Sequence, residues 1–311
     1  MGEAFSNLMK AIKDGKFVYT GELEPHKSAD LSDVLAWARV LKETGRIVAA
    51  NVTDNPQSMG TMSSLVASYI IQEKTGLETV YQLRASDRNR LALFSDLLGA
   101  AALGLRNVLA LTGDHIKKGD SVEAMPVFDI DGTQLIEMIH RMVYEGKDPS
   151  GNEIHGSRPR FNVGAAGNPN CKPLEMEVLK LERKAEVGVD FIQTQVVFDV
   201  DVALEFLDAT EHIGVPILIG IFPPRSLGQA EFFDKYVPGV TVPKDLLDQF
   251  RRFKGISDKK ERRRKINEYN IGYFVEFIKK IKKKPACKGV HIMAVGYPEV
   301  VSSIIENVEK S

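Results

Sequence analysis

Residues 161–196 read FNVGAAGNPNCKPLEMEVLKLERKAEVGVDFIQTQV, and this stretch decides the fold. Two short β-rich runs, Phe161 to Ala166 and Phe191 to Val196, bracket a segment of helical periodicity from about Leu174 to Val187. Apolar residues spaced three and four apart mark an amphipathic helix; short apolar runs between turn signals mark strands. Strands this apolar read as buried on both faces, as parallel strands are. The stretch is therefore a strand–helix–strand unit.

The same rhythm continues in both directions. Towards the N-terminus, strands are predicted at Phe17 to Leu23, Ile47 to Val52, Thr79 to Leu83 and Val108 to Thr112. The helices between them run from about Leu31 to Glu43, Ser63 to Lys74, Asn89 to Leu103 and Gly132 to Glu145. Towards the C-terminus come a helix from Val200 to Thr210, a strand from Pro216 to Ile221, a strand from Gly289 to Ala294 and a last helix from Glu299 to Glu309. Eight strands in strict alternation with helices favour a closed (βα)8 TIM barrel over an open doubly wound sheet. No Pro/Gly/Ser-rich linker divides the chain, so residues 1–311 are expected to form a single domain. The one irregularity is a helical, basic insertion before the last strand, richest in charge between Phe250 and Lys284.

Composition narrows the setting. Of 311 residues, 43% are hydrophobic and 27% charged, an ordinary balance for a globular protein, and the net charge of −1 gives no bulk field for nucleic acid. Cys171 and Cys287 form neither a disulfide framework nor a metal-ligand spacing, which points to a reducing compartment and to no metal or iron–sulfur cluster in this chain. No apolar run has the length of a membrane span, and a cytoplasmic protein is expected.

Barrel active sites lie at the C-terminal ends of the strands. Polar residues gather there: Glu22 and Glu24, Thr53-Asp54-Asn55, Gln82 and Arg84, Gly113-Asp114, Asn168-Pro169-Asn170, Gln193 and Gln195, and Pro223-Pro224-Arg225. Glu22, Gln193 and Gln195 fall within or at the edge of strong strand patterns, where a polar group needs a partner.

Three of these segments carry a family resemblance. Gly21-Glu22-Leu23-Glu24-Pro25, Leu109-Ala110-Leu111-Thr112-Gly113-Asp114, and Phe191-Ile192-Gln193-Thr194-Gln195 with Phe198-Asp199 resemble methylenetetrahydrofolate reductases in order and spacing along nearly the whole chain. The segments Glu182 to Gly188 and Gly220 to Pro223 extend the match. The resemblance implies flavin-dependent reduction of 5,10-methylenetetrahydrofolate to 5-methyltetrahydrofolate. It implies catalytic roles for Glu22 as proton donor, Asp114 beside flavin and pterin, and Gln195 against the pterin. It implies flavin contacts at Thr53, Gln82, Asp114, Ala166, Asn168 and Lys184, and substrate contacts at Gln195, Phe222 and Leu227. An oligomer is also expected.

The chain departs from the better-known bacterial pattern where the adenylate half of FAD is held. Asn168-Pro169-Asn170 stands in place of Tyr-Pro-Glu, Lys172 lies near the place of a histidine, and Thr112 replaces an arginine. FMN is therefore expected, with FAD the alternative, and no G-x-G-x-x-G marks a dinucleotide fold. Leu227 aligns with an aromatic residue that stacks on nicotinamide, and the chain resembles the reductase variant that some anaerobes pair with a second, metal-binding subunit; the resemblance implies an electron-donating partner subunit carrying metal or iron–sulfur centres, with NADH itself the alternative. A non-catalytic folate-binding subunit and a flavin-free barrel methyltransferase are the rival readings. The basic runs Lys259 to Lys265 and Lys279 to Lys284 accompany Ile271, Phe274, Ile278 and Ile281 at helical spacing, so the charges coat the outer face of a barrel helix. Folate polyglutamate or an acidic partner is the other use for them.

Overall fold

The computed structural model describes residues 2–237 and 239–310. Eight parallel strands close into a barrel in sequence order: β1 (Val18–Leu23), β2 (Ile47–Val52), β3 (Thr79–Arg84), β4 (Asn107–Leu111), β5 (Asn162–Gly167), β6 (Phe191–Val196), β7 (Ile217–Ile221) and β8 (Cys287–Ile292). β8 pairs back onto β1, with Thr20 opposite His291.

α1 (Asn7–Lys13) lies beneath the barrel, and helices cover the outside: α2 (Ser32–Glu43), α3 (Ser64–Thr75), α4 (Arg90–Ala102), α5 (Gly132–His140), α6 (Leu174–Glu186), α7 (Val200–Thr210), α8 (Leu227–Tyr236), α9 (Lys244–Lys254), α10 (Lys259–Ile281) and α11 (Pro298–Glu309). The alternation read from the sequence holds throughout, and β8 begins two residues earlier than its apolar run. The segment before β8 resolves into α8, α9 and the long α10. α10 buries Phe274, Val275, Phe277, Ile278 and Ile281 and turns its Lys and Arg residues outward. It is the barrel helix that precedes β8, and α8 and α9 are the additional pieces. Among the described residues no helix is long and apolar enough to cross a membrane.

Inside the barrel, successive side chains alternate between the lumen and the helices. Val18, Ala49, Val80, Leu109, Phe191 and Leu218 fill the lower lumen together with Leu8, Met9 and Ile12 of α1. Phe191 needs space from β5: a Cβ on Gly164 would lie 2.4 Å from its ring. α1 closes the floor. Ser6 caps it by accepting from the Met9 N–H, and Glu78 accepts from the N–H groups of Asn7 and Leu8 at 2.8 and 2.9 Å. Seven residues are too few for periodicity to reveal a helix, so α1 was not legible in the sequence.

Candidate active site

The alternation that fills the lower lumen with apolar side chains brings polar ones to the mouth. Two residues beyond Val80 is Gln82, beyond Phe191 are Gln193 and Gln195, and beyond Thr20 is Glu22. They open into a cleft of about 630 Å³, within the usual range for small-molecule sites. Six of the residues to which the resemblance gives a site role line it together: Glu22, Gln82, Ala166, Asn168, Lys184 and Gln195.

The β1–β8 side of the mouth carries carboxyls and an imidazole. Glu22 Oε2 lies 3.3 Å from His291 Nε2, and His291 Nδ1 lies 3.0 Å from Thr20 Oγ1. His291 is fully buried while the Glu22 side chain is 20% exposed, so the carboxyl faces the cleft with the imidazole behind it. Trp37 Nε1 donates to the Glu22 carbonyl at 3.1 Å and anchors the strand end. This arrangement sets a carboxyl and an imidazole side by side at the mouth. Glu24, next on the same side, has its carboxyl pushed above the usual range by burial and then by the charge of Glu22.

The opposite wall is basic. Glu177, Lys180, Arg183 and Lys184 of α6 line the same cleft, Glu177 buried and Lys180 and Arg183 at its exposed edge. Lys184 Nζ donates to the Ala166 carbonyl at 2.7 Å, which ties the helix to β5. Burial holds its ammonium below the ordinary lysine value, partly offset by the charge of Glu177. Glu177 is buried and accepts from the Asn168 N–H at 2.9 Å; Asn168 Oδ1 accepts from the Asn170 N–H at 3.1 Å. The loop after β5 is thus fixed against α6. A cluster of cations on one face suits an anionic group such as a phosphate.

Several buried polar atoms at the mouth have no partner within the chain. Among the described residues nothing hydrogen-bonds Gln193 Oε1, Thr53 Oγ1 or either amide atom of Asn51, although all three side chains are buried. Asn51 sits beside Glu22 in the β1–β2 register. Buried polar groups without partners are uncommon, and Gln193, which lines the cleft, is a place where a ligand can supply the missing bond. Gln195 turns its Oε1 back to accept from the Val196 N–H at 2.8 Å, leaving its amide nitrogen towards the cleft.

The remaining predicted residues lie elsewhere. Thr53 is buried at the end of β2, and its N–H donates to the Leu23 carbonyl at 3.1 Å. Asp114 follows β4 after Gly113, whose φ of +87° turns the chain; a Cβ there would meet Ser86 Oγ at 2.4 Å. The Asp114 carboxylate pairs with Lys118 at 2.8 Å, is 41% exposed and does not line the cleft; Thr112, two residues earlier, does. Phe222 borders a second cleft of about 300 Å³, which shares Glu22 and Met293 with the first. Its ring packs on Phe233 with centroids 4.4 Å apart. Leu227, the first residue of α8, is buried in the core and borders neither cleft. Among the described residues no group of three His, Cys, Asp or Glu is placed to hold a metal ion.

Sequence reasoning gave no role to His291 or to Glu177, Lys180 and Arg183. His291 carried a signal: it alternates with Gly289 and Met293, in phase with the inward set of β8. The α6 residues carried a weaker one, since polar residues on a barrel helix ordinarily face solvent.

Comparison with known proteins agrees with this geometry. The family model described as methylenetetrahydrofolate reductase matches residues 7–309. Methylenetetrahydrofolate reductase 1 of Schizosaccharomyces pombe is 25% identical over 305 residues, covering 94% of this chain and 46% of that protein. The 5,10-methylenetetrahydrofolate reductase of Salmonella typhimurium is 30% identical over 165 residues, covering 52% of this chain and 50% of that protein. The alignments with these two curated relatives thus span about half of their length, and that with a probable methylenetetrahydrofolate reductase (NADPH) of Caenorhabditis elegans, 22% identical over 81% of this chain, spans 35%. An uncharacterized protein from Clostridium thermocellum, solved with two copies of 5-methyl-5,6,7,8-tetrahydrofolic acid, has a similar fold: TM-score 0.65, 16% identity, 98% of this chain and 99% of that one.

Proposed function

The chain belongs to the methylenetetrahydrofolate reductase family, and from that premise we propose that it reduces 5,10-methylenetetrahydrofolate to 5-methyltetrahydrofolate at the barrel mouth, with a bound flavin and with Glu22 as proton donor. The observation that carries the proposal is the Glu22–His291 pair at the edge of a cleft whose other wall holds Gln193, Gln195 and Lys184. One barrel, residues 1–311, serves both flavin and folate in this reading, in a cytoplasmic setting.

The residues present fit a flavin. The cleft has the volume, Gln193 Oε1 and the Asn51 amide lack partners, and Lys180, Arg183 and Lys184 offer cations to a phosphate. When bound, the flavin supplies a hydride to the methylene carbon of the folate. Gln82, Ala166, Asn168 and Lys184 are the proposed holders, with Thr53 behind them. FMN is favoured over FAD. A single phosphate matches the cations of α6, and Asn168, Asn170, Lys172 and Thr112 stand where the family resemblance implies residues that hold an adenylate.

Glu22 opens the reaction. Proton transfer to the departing nitrogen of the imidazolidine ring releases the iminium that accepts the hydride, and a carboxyl is suited to this only while it retains its proton at working pH. His291 behind it offers the second site for that proton. In this reading Gln195 hydrogen-bonds the pterin through its amide nitrogen, and Phe222 stacks on an aromatic part of the substrate. Asp114, paired with Lys118 at the rim, acts on the flavin through its charge and not by contact. Leu227 supports α8 from the core and is given no contact with substrate.

For the electron donor we propose a partner protein carrying metal or iron–sulfur centres. Support comes from the loop between β4 and α5, which exposes Val122, Met125, Val127 and Phe128, Met125 to 82%. NADH is the alternative, and the Phe222–Phe233 pair supports it by offering a ring face at the cleft.

The test is chromatography of the flavin released by heat from purified protein, followed by stopped-flow mixing with NADH in the absence of oxygen. The proposal expects stoichiometric FMN and slow bleaching by NADH. Mainly FAD would overturn the cofactor assignment, and fast bleaching with sustained folate turnover would overturn the partner. A protein that purifies without flavin and binds none would favour the flavin-free methyltransferase or the non-catalytic folate-binding subunit.

A further inference from the structure

We propose that Arg84 is a positioning residue for the flavin chemistry: from the end of β3 it pins the loops after β2 and β4 together and so fixes the turn that carries Asp114. This rests on the flavin reading above, in which the charge of Asp114 acts on the flavin. Asp54, Asn55 and Arg84 stand out in the sequence as polar residues at strand ends, and no step of the proposed reaction uses them.

Backbone strain marks the two loops. Among the described residues, the non-glycine residues with left-handed φ are Asn55 (+44°), Gln57 (+54°) and Ser58 (+58°) after β2, and Phe128 (+43°) after β4. Such conformations are disfavoured for residues with a Cβ. They persist only where the surroundings over-determine them, and they gather at functional sites.

Arg84 is what holds them. β3 lies between β2 and β4 in the barrel, and Arg84 is its last residue. Its side chain is almost fully buried. The guanidinium donates to the Asn55 carbonyl and, at 3.3 Å, to Ser58 Oγ. Ser58 Oγ in turn donates to the Asp114 carbonyl at 2.9 Å. Two of the strained residues are therefore tied to the arginine, and one of them passes the link to the β4 turn. Close backbone approach completes the unit. A Cβ on Gly119 would collide with the Ser58 carbonyl oxygen, and one on Gly113 with Ser86 Oγ. The Val127 N–H donates to the Ser86 carbonyl at 2.9 Å.

Carboxylates hold the arginine in turn. Asp87 lies 3.1 Å from Arg84 Nε, and Asp54 Oδ2 accepts from the Arg84 backbone N–H at 3.1 Å. The neighbouring Arg88 pairs with Asp54 at 2.6 Å, Asp96 at 3.2 Å and Asp87 at 3.3 Å. Arg88 thus meets three carboxylates, whereas Arg84 directs its two terminal nitrogens at the strained loop. A planar guanidinium fork fixes both bonds in one orientation, which a lysine ammonium cannot do. A carboxylate near a flavin opposes added electron density, so the flavin potential depends on how far the Asp114 charge stands from it. The Arg84–Ser58 link sets that distance.

The experiment measures the two-electron midpoint potential of the bound flavin in purified holoprotein, by anaerobic photoreduction against a reference dye. Asp114→Asn removes the charge and should raise the potential. Ser58→Ala removes the link without altering charge, and Arg84→Lys keeps the charge and loses the fork. Each of these two should favour reduced flavin about fivefold over wild type, or ~20 mV for two electrons. Adding Ser58→Ala to Asp114→Asn should change nothing further, because a residue that acts through Asp114 has no effect once its charge is gone. Arg90→Ala breaks the exposed pair with Asp129 at the far end of the same loop and should leave the potential at its wild-type value. A shift in Asp114→Asn with wild-type potentials in Ser58→Ala and Arg84→Lys would overturn the inference and leave the flavin reading standing. So would an undiminished shift from Ser58→Ala in the Asp114→Asn background. An unchanged potential in Asp114→Asn would overturn the role given to Asp114 and the inference with it, and a protein that binds no flavin would overturn the reading on which both rest.

Discussion

Both ends of the barrel lumen are polar, but they differ in where the polar atoms find partners. At the floor, Asn162 Oδ1 accepts from the N–H groups of Phe5 and Ser6 and from the Ser6 hydroxyl, and its Nδ2 donates to the Glu3 carbonyl and to Asp190. Glu78 accepts from α1 and from Asn107. The chain completes these bonds itself, apart from Asn107 Oδ1. At the mouth, Asn51, Thr53 and Gln193 are as well buried and keep polar atoms without partners. A satisfied buried amide stabilises a fold, whereas an unsatisfied one costs it about 1–3 kcal/mol. Asn51, Thr53 and Gln193 carry part of that cost at the end where barrels bind their ligands. The floor is built for stability and the mouth for a ligand.

Substitutions at the two ends should therefore separate activity from stability. The largest effect is expected at Glu22. Glu22→Gln keeps the shape and removes the proton, and folate reduction should fall by about 10²–10⁴-fold. Flavin content and melting temperature should stay near wild type. Near-normal turnover would show that the acid is another group.

Next in size is the floor. Asn162→Ala leaves buried N–H groups of the α1 entry without acceptors and should cost about 1–3 kcal/mol, read as a melting temperature lower by several degrees. The kcat of the folded enzyme should be unchanged. A loss of kcat with unaltered melting would reverse the roles assigned to the two ends.

Gln193→Leu should show the opposite pattern with a smaller magnitude. Removing an unsatisfied buried amide leaves the melting temperature of the ligand-free protein equal or slightly higher. Flavin or folate binding should weaken about tenfold, or ~1.4 kcal/mol. Destabilisation without any change in binding would mean that the amide serves the fold.

The smallest effect concerns Glu24. Its folded-state affinity for a proton is raised by burial and by Glu22, so the stability it contributes is fully present below its unfolded pKa and lost as pH rises through the folded value. Glu24→Gln should be slightly more stable than wild type at neutral pH, and the advantage should vanish near pH 4. Parallel melting profiles across that range would remove Glu22 as its neighbour in charge.

The comparison also explains what could be read from the sequence. The eight strands were legible because parallel strands in a barrel are apolar on both faces, and residues such as Ile217 to Ile221 leave little other choice. The mouth was partly legible for a related reason: Glu22, Gln82, Gln193 and Gln195 interrupt that apolar pattern in phase with the lumen. His291 does so too, but it sits within Gly289 to Ile292, where a lone histidine is easily taken as a core residue. The cationic edge of α6 was hidden because Lys180 and Arg183 are solvent-exposed helix residues, and their place beside the cleft depends on how the helix docks. The placement of Asp114 and Leu227 depended on the path of two loops, after β4 and after β7, and loop paths are set by tertiary contacts such as that between Gly119 and Ser58.

The account stands most directly on one half-reaction. Purified protein, its flavin photoreduced without oxygen, is mixed with one equivalent of 5,10-methylenetetrahydrofolate while flavin absorbance is followed and the folate products are separated. The account predicts reoxidation of the flavin in step with one equivalent of 5-methyltetrahydrofolate. Flavin that stays reduced in the presence of the folate, or reoxidation without that product, would contradict it.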